Sequence, residues 1–211
     1  MVLSYFKAAG LPDDLANIPL EYFETALHWL GDRPEVDADQ VFMWGASRGG
    51  EAALLVSSTY PDLVHAVVGV VPADVRVCGL PECDRPAWTL TGEALAYVDD
   101  FSDPVSYLAA HPDVLFPVER IAGPVLLICG GQDAIWPSCL MSHAIIDRLD
   151  ANSFQFAHEL LEYPEAGDFV STPPPMPLPP GSMGGGDTVA NARDRLDAWD
   201  KTLDFLAEAG S

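Results

Sequence analysis

Val41-Phe42-Met43-Trp44-Gly45-Ala46-Ser47-Arg48-Gly49-Gly50-Glu51-Ala52-Ala53-Leu54-Leu55 is the stretch whose reading decides the fold. Residues 41–44 form a short apolar strand, and residues 49–58, rich in Ala and Leu, read as a helix. Between them Gly45-Ala46-Ser47-Arg48-Gly49 matches G-x-S-x-G in its strand–turn–helix context. So sharp a turn strains the serine and requires small neighbours, which is the expected role of Gly45 and Gly49 in letting strand and helix approach. The Ser47 hydroxyl then stands at the carboxyl end of a sheet beside a helix N-terminus. The backbone N–H of Arg48 faces the place where an oxyanion would form. A glycine-rich turn with a capping serine is the plainer reading, and the strand before and helix after favour the elbow.

Strand and helix signals alternate on both sides of this turn. Residues 2–6 form a short β-like run. Leu20, Phe23, Leu27 and Leu30 recur at helical spacing, which predicts an amphipathic helix from Pro19 to about Trp29. Residues 64–71 are almost wholly apolar, as a strand buried on both faces should be, and residues 125–129 are a second such strand. Residues 138–149 read as a helix with Leu140, Ala144 and Ile145 as its buried stripe. Residues 156–163 read as a strand. Val189, Ala192, Leu196, Trp199, Leu203 and Leu206 step by three and four along a long final helix. The order implies one α/β domain over residues 1–211, a mostly parallel sheet with helices on both faces.

Two segments interrupt the alternation. Residues 72–119 are irregular and carry Trp88, Tyr97, Phe101 and Tyr107, which predicts a lid-like excursion over the sheet's carboxyl edge. Residues 173–180 contain six prolines, followed by Gly181 and the triplet Gly184-Gly185-Gly186, which predicts an extended surface loop.

Ten Lys and Arg against 32 Asp and Glu give the chain a net charge of −22. A surface this acidic repels phosphate backbones and anionic membranes, so neither nucleic acid nor a membrane is an expected partner. No apolar run approaches the ~20 residues of a membrane span. The first residues lack the basic leader of a signal peptide. Cys78, Cys83, Cys129 and Cys139 form no C-x-x-C pair and no zinc pattern, so no metal is expected. Cys78 and Cys83 are close enough to bridge a loop, but reduced thiols in a cytoplasmic protein are the expectation. No cofactor motif is present.

Asp133 follows the strand at 125–129, where a carboxylate can orient a histidine; capping the next helix is the competing role. The loop after the strand at 156–163 should carry the general base, and there the sequence has Pro164-Glu165-Ala166-Gly167-Asp168-Phe169. The five histidines lie elsewhere. His28 and His143 fall on helices, His65 and His158 on strands, and His111 in the irregular segment, from which it could swing over a site.

The segment from Leu20 to Leu30, the elbow Gly45-Ala46-Ser47-Arg48-Gly49-Gly50-Glu51, and the blocks beginning at Phe116, Gly131 and His158 resemble one family. It is the acyl-CoA thioester hydrolase / bile-acid-CoA:amino acid N-acyltransferase family, in its C-terminal α/β-hydrolase domain. Asp197-Ala198-Trp199 resembles that domain's closing helix. The resemblance implies a Ser or Cys nucleophile with Asp and His, acting on acyl thioesters or passing the acyl group to an amine. By position it makes Ser47 the nucleophile, Asp133 the orienting acid, and Asp168 the occupant of the histidine's place. An ordinary aspartate, with a pKa near 4, is a weak base at neutral pH, and losing the base of a comparable triad costs about 10⁴-fold or more.

The resemblance also implies an N-terminal truncation. The family's earlier strand and glycine-rich loop, which donates a second oxyanion N–H, have no counterpart, nor does its N-terminal β-sandwich. The slot beside residues 41–44 then has to be filled by residues 2–6, by another segment, or by another copy of the chain. Three functions stay open. The chain is an acyl thioester hydrolase or acyltransferase impaired at Asp168, a non-hydrolytic relative that binds or cyclises an acyl or polyketide-like ligand, or a non-catalytic interaction protein.

Overall fold

The computed structural model describes residues 1–99, 110–174, 176–178 and 183–211. Phe101 and Tyr107 therefore lie outside the described residues. The chain forms two compact units, Met1–Ala38 with Val75–Phe116, and Asp39–Asp74 with Pro117–Ser211. The second holds the elbow and the parallel sheet. The first takes up most of the irregular excursion.

In the first unit, β1 (Ile18–Pro19) pairs in parallel with β4 (Trp88–Leu90), which pairs antiparallel with β5 (Glu93–Ala94). Helix α1 (Leu20–Gly31) buries Leu20, Phe23 and Leu27, the stripe its spacing announces. Residues 2–6 are not a strand: Val2 is 96% exposed, while the Tyr5 ring packs against Phe23 and Trp88. The partly buried Tyr5 anchors this segment, which has no strand partner among the described residues. Val75, Val98 and Val114 form a separate small core.

The second unit is a four-stranded parallel sheet in the order β2-β3-β6-β7. Its strands are Phe42–Ala46, Ala66–Val70, Val125–Gly130 and His158–Tyr163. Strands β3 and β6 are buried along their whole length, as their unbroken apolar runs require. Alternate residues serve opposite faces. Val68, Val70, Leu126 and Ile128 join a core with Ala198, Phe205 and Leu206 of the final helix, α4 (Thr188–Ala209). On the other face a methyl on Gly69 would meet Leu127 and Leu54, the latter from α2 (Arg48–Thr59). The mostly parallel α/β-hydrolase-like sheet with helices on both faces is thus present. Among the described residues β2 pairs with β3 alone, and residues 2–6 do not fill the slot beside it.

Two helices turn differently from their large apolar residues. In α3 (Ser138–Ala151) the buried residues are Ser138, Met141, Ser142, Ile145 and Leu149; Ala144 is exposed and Leu140 is 70% exposed. In α4 the buried positions are Ala190, Asn191, Asp194, Ala198 and Thr202, while Val189, Leu196 and Leu203 are exposed. Ala190, Asp194, Ala198 and Thr202 follow i, i+4 spacing, so small side chains bring the helix backbone close to the sheet and leave the larger ones outside.

All four cysteines are paired, Cys78 with Cys83 and Cys129 with Cys139, contrary to the expectation of reduced thiols. The second pair joins the end of β6 to the first turn of α3, a closure made by tertiary structure that sequence spacing does not announce. No helix among the described residues is long and apolar enough to cross a membrane.

Candidate active site

Ser47 links β2 to α2 with φ 53° and ψ −122°. A serine in this region is strained, and such strain persists only where the surroundings over-determine it. Two constraints do so. The Ser47 N–H donates to the Val70 carbonyl (2.8 Å), and the Ser47 carbonyl accepts from the Glu51 N–H (3.0 Å), which closes the first turn of α2. A methyl on Gly45 would lie 1.9 Å from the Gly49 carbonyl oxygen, so only glycine fits there. On Gly50 it would lie 3.2 Å from the carbonyl oxygens of Gly45 and Val70. Gly49 differs from the expectation: a methyl there meets nothing within 4 Å. The close approach therefore belongs to Gly45 and Gly50. The Ser47 side chain does not cap α2. Arg48, at the first helical position, pairs with the fully buried Glu51 at 2.7 Å.

Asp133 sits in the loop after β6, where its carboxylate serves its own loop. Oδ1 accepts from the N–H groups of Ile135 (2.9 Å) and Trp136 (3.3 Å), and Oδ2 accepts from the Ser138 hydroxyl at the head of α3 (2.6 Å). Trp136 Nε1 in turn donates to the Val71 carbonyl at the end of β3 (3.0 Å). Asp168 opens the short turn Asp168–Ser171 after β7. Its Oδ1 is buried and has no hydrogen-bond partner. Burial, and then the charge of Asp133, push its pKa up to about 6. At pH 7 a group with that pKa is about nine-tenths ionised.

The two carboxylate loops are held by a segment that sequence reading treats as a surface loop. The Gly184 carbonyl accepts from the N–H groups of Asp168 (2.8 Å) and Ala134 (3.3 Å). Gly185 bridges to Asp133, and Gly186 to Ala166. Gly185 and Gly186 have φ of 73° and 72°, and a methyl on Gly185 would lie 2.0 Å from the Gln132 carbonyl oxygen. Buried Asn191 of α4 completes the clamp, accepting from the Gly167 N–H (2.8 Å) and donating to the Gly185 carbonyl (3.0 Å). Three consecutive glycines are the signal that betrays such a backbone-to-backbone wedge.

The structure thus brings Asp133 and Asp168 together and sets Ser47 on its strained turn. Among the described residues no hydrogen bond joins the Ser47 hydroxyl to either carboxylate, and no histidine bonds to Asp133. His143 and His158 are engaged with Glu162 and Asp150, each at 2.9 Å. His111 precedes the turn Pro112–Val114 of the first unit. A cleft lined by Trp44, Val70, Val170, Arg195 and Trp199 lies between the sheet and α4, and none of Ser47, Asp133 or Asp168 lines it. Sequence reading also passed over Asp74, just beyond β3, which is 8% exposed and whose pKa burial raises to about 6. Its signal was a lone carboxylate at the end of a wholly apolar strand.

A parallel sheet, helices on both faces and a strained serine between strand and helix define the α/β-hydrolase class. Solved structures agree on the fold. A putative dienelactone hydrolase from Klebsiella pneumoniae superposes with TM-score 0.54 at 19% identity, over 89% of this chain and 60% of that one. MGS-M1, an α/β hydrolase from a deep-sea metagenome library, gives 0.53 at 15% identity, over 99% and 68%. The chain belongs to the family described as BAAT / Acyl-CoA thioester hydrolase C terminal, which it matches over residues 18–210. It is 30% identical to acyl-coenzyme A thioesterase 1 of Homo sapiens over 98% of this chain and 52% of that protein. It is 29% identical to mitochondrial acyl-coenzyme A thioesterase 2 of Homo sapiens, over 98% and 46%. The chain spans about half the length of the relatives it matches.

Proposed function

We propose that the chain carries the acyl-transfer centre of an acyl thioester hydrolase or acyltransferase, with Ser47 as nucleophile and an acyl-CoA type thioester as substrate. The observation that carries this reading is Ser47 at φ 53°, ψ −122° on a turn where only glycine fits at position 45. Ser47 Oγ attacks the thioester carbonyl, and the Arg48 amide at the head of α2 stabilises the oxyanion. Asp168 accepts the serine proton. Its pKa of about 6 lies close to the ~6.5 of a histidine, and taking up the proton relieves its repulsion with Asp133. The neutral acid returns the proton to the departing thiolate, and water or an amine then releases the acyl group.

Proton affinity is therefore not what limits Asp168. Reach is: an aspartate side chain is shorter than an imidazole, and Asp133 has no imidazolium to stabilise. Hydrolysis is expected to be weak. The same absence of an imidazole favours a second reading, a non-hydrolytic relative in which Asp168 acts directly on a bound acyl-type ligand. In either reading the outer edge of β2 receives a strand from another segment or another copy; its pairing, among the described residues, with β3 alone and the partly exposed Trp44 support this. A fluorophosphonate probe decides between the two readings. Labelling at Ser47 that is lost in Ser47→Ala supports the nucleophile, whereas an inert Ser47 in a folded protein leaves the second.

A further inference from the structure

A helix that covers a sheet needs one apolar face, and α4 has two. The first is the face of small residues laid on the sheet. The second is Val189, Ala192, Leu196, Trp199, Leu203 and Leu206. These positions alternate steps of three and four along the helix, the spacing of the seam between two paired helices. The fold leaves this seam open. Val189 is 73% exposed, Leu196 and Leu203 are each 50% exposed, and Ala192, Trp199 and Leu206 are only half-buried. Single exposed apolar residues are ordinary, whereas a continuous stripe marks a surface that binds another protein. Trp199 also packs against the partly exposed Trp44, with ring centroids 6.0 Å apart, so the apolar surface runs on to the edge of β2.

The charges beside the seam select its occupant. Arg193 and Arg195 border its first half, and Asp200 and Asp204 its second. Arg193 holds Asp194 through Nε and Nη2, which leaves Nη1 to reach outward. Arg195 donates to the Met176 carbonyl, an uncharged acceptor. Asp200 is exposed and has no ion pair among the described residues. Such a basic-to-acidic order complements a second copy of itself only when that copy is reversed. One antiparallel register fills every layer of the seam: Val189 meets the partner's Leu206, Ala192 the partner's Leu203, and Leu196 the partner's Trp199. The same register sets Arg193 beside the partner's Asp200, and two-fold symmetry repeats that pair. A parallel pair would set arginine against arginine. The net charge of −22 opposes any self-association, but salt screens it beyond about 8 Å at physiological ionic strength, and the paired charges lie inside that range.

We propose that the outer face of α4 is a two-fold interface between copies of this chain, formed by antiparallel pairing of the Val189–Leu206 seam. The interface is distinct from any strand added at β2, and it is independent of the reaction assigned to Ser47.

The test is sedimentation equilibrium of the full chain, which is expected to show twice the chain's mass and to dissociate on dilution. Leu196→Gln with Leu203→Gln weakens association by at least about 10-fold and leaves the far-ultraviolet circular dichroism unchanged. Asp200→Lys sets a lysine beside the partner's Arg193 and weakens association by about 3- to 10-fold, although it makes the chain less negative. Cross-linking reads the register, since the four native cysteines are already paired. A mixture of Ala192→Cys and Leu203→Cys forms a disulfide-linked dimer on oxidation. Neither variant does so alone, because each position lies about 16 Å along the helix axis from its own copy. Four results would overturn the proposal. The chain stays monomeric up to about 100 μM, which leaves the seam to a different polypeptide segment. The folded Leu196→Gln, Leu203→Gln variant associates as tightly as the parent. Asp200→Lys associates more tightly, as relief of general repulsion alone would require. Ala192→Cys cross-links with itself.

Discussion

The elbow after β2 and the loop after β7 end parallel strands of one sheet, and they hold their functional residues in different ways. At the elbow the backbone is the device: one glycine with no room for a methyl and a serine in a strained conformation. At the β7 loop the backbone is held just as firmly, by Gly184, Asn191 and the turn after Gly167, yet the side chain presented is an aspartate with a buried, unpartnered oxygen. A scaffold built from main-chain contacts tolerates exchange of the side chain it displays, because none of those contacts depends on that side chain. The chemistry at Asp168 can therefore change while its geometry stays.

The largest expected effect breaks the backbone side of this contrast. Gly45→Ala drives a methyl into the Gly49 carbonyl and is expected to destabilise the second unit by about 4 kcal/mol or more, read from denaturant unfolding. Gly49→Ala, with open space around it, serves as the control and is expected to change stability by less than about 1 kcal/mol. An equal loss in both would mean that the elbow is not closed at Gly45.

Next is the side-chain half. Asp168→His is expected to raise hydrolysis of acyl-CoA thioesters by about 10²- to 10⁴-fold, the range a well-placed base contributes. The measure is kcat/KM alongside Ser47→Ala, which should abolish the gain. Fast Ser47-dependent turnover by the unaltered chain would instead show that another base already serves.

Gly185→Ala tests the wedge between the carboxylate loops. It meets the Gln132 carbonyl at a positive φ and is expected to cost about 2–3 kcal/mol. It should also lower any activity restored by Asp168→His, since both loops lean on that glycine.

The smallest effect is a pH dependence. Asp168 binds its proton more tightly when folded, at about 6 against 3.8, so the stability tied to that proton is complete below about pH 4 and is lost as pH rises through 6. Asp168→Asn should match the parent near pH 3.5 and exceed it by about 1–3 kcal/mol at pH 8. Asp74 shifts in the same direction, so some slope remains in the variant. Equal denaturant midpoints for parent and variant at pH 8 would place Asp168 in water.

Sequence patterns carried the parts of this molecule in which one strong local preference acts alone. The apolar runs of β3 and β6, the elbow and the amphipathic α1 are of this kind. On α4 two stripes overlap, and periodicity alone does not say that Ala190, Ala198 and Thr202 are buried while Leu196 and Leu203 are exposed. Residues 2–6 have strand-like composition without a partner, and composition cannot supply one. The Cys129–Cys139 pair and the Gly184–Gly185 wedge join residues from separate loops, and such long-range closures leave no periodic trace. Of the candidate site, the positions of Ser47, Asp133 and Asp168 were legible. The raised pKa of Asp168 was not, since it depends on burial and on Asp133 being close.

The wedge also sets an order of events. Residues 184–186 and Asn191 come after β6 and β7 in the chain, yet they fix the loops that follow those strands. A chain emerging from the ribosome N-terminus first carries the elbow residues while α4 is still being made. It cannot seat Asp133 and Asp168 until that helix begins. The serine's own turn is closed by Val70 and Glu51, which precede both carboxylate loops in the chain. A protein cut short before Asn191 would lack both the clamp on the carboxylate loops and the helix that covers Val68, Val70 and Ile128.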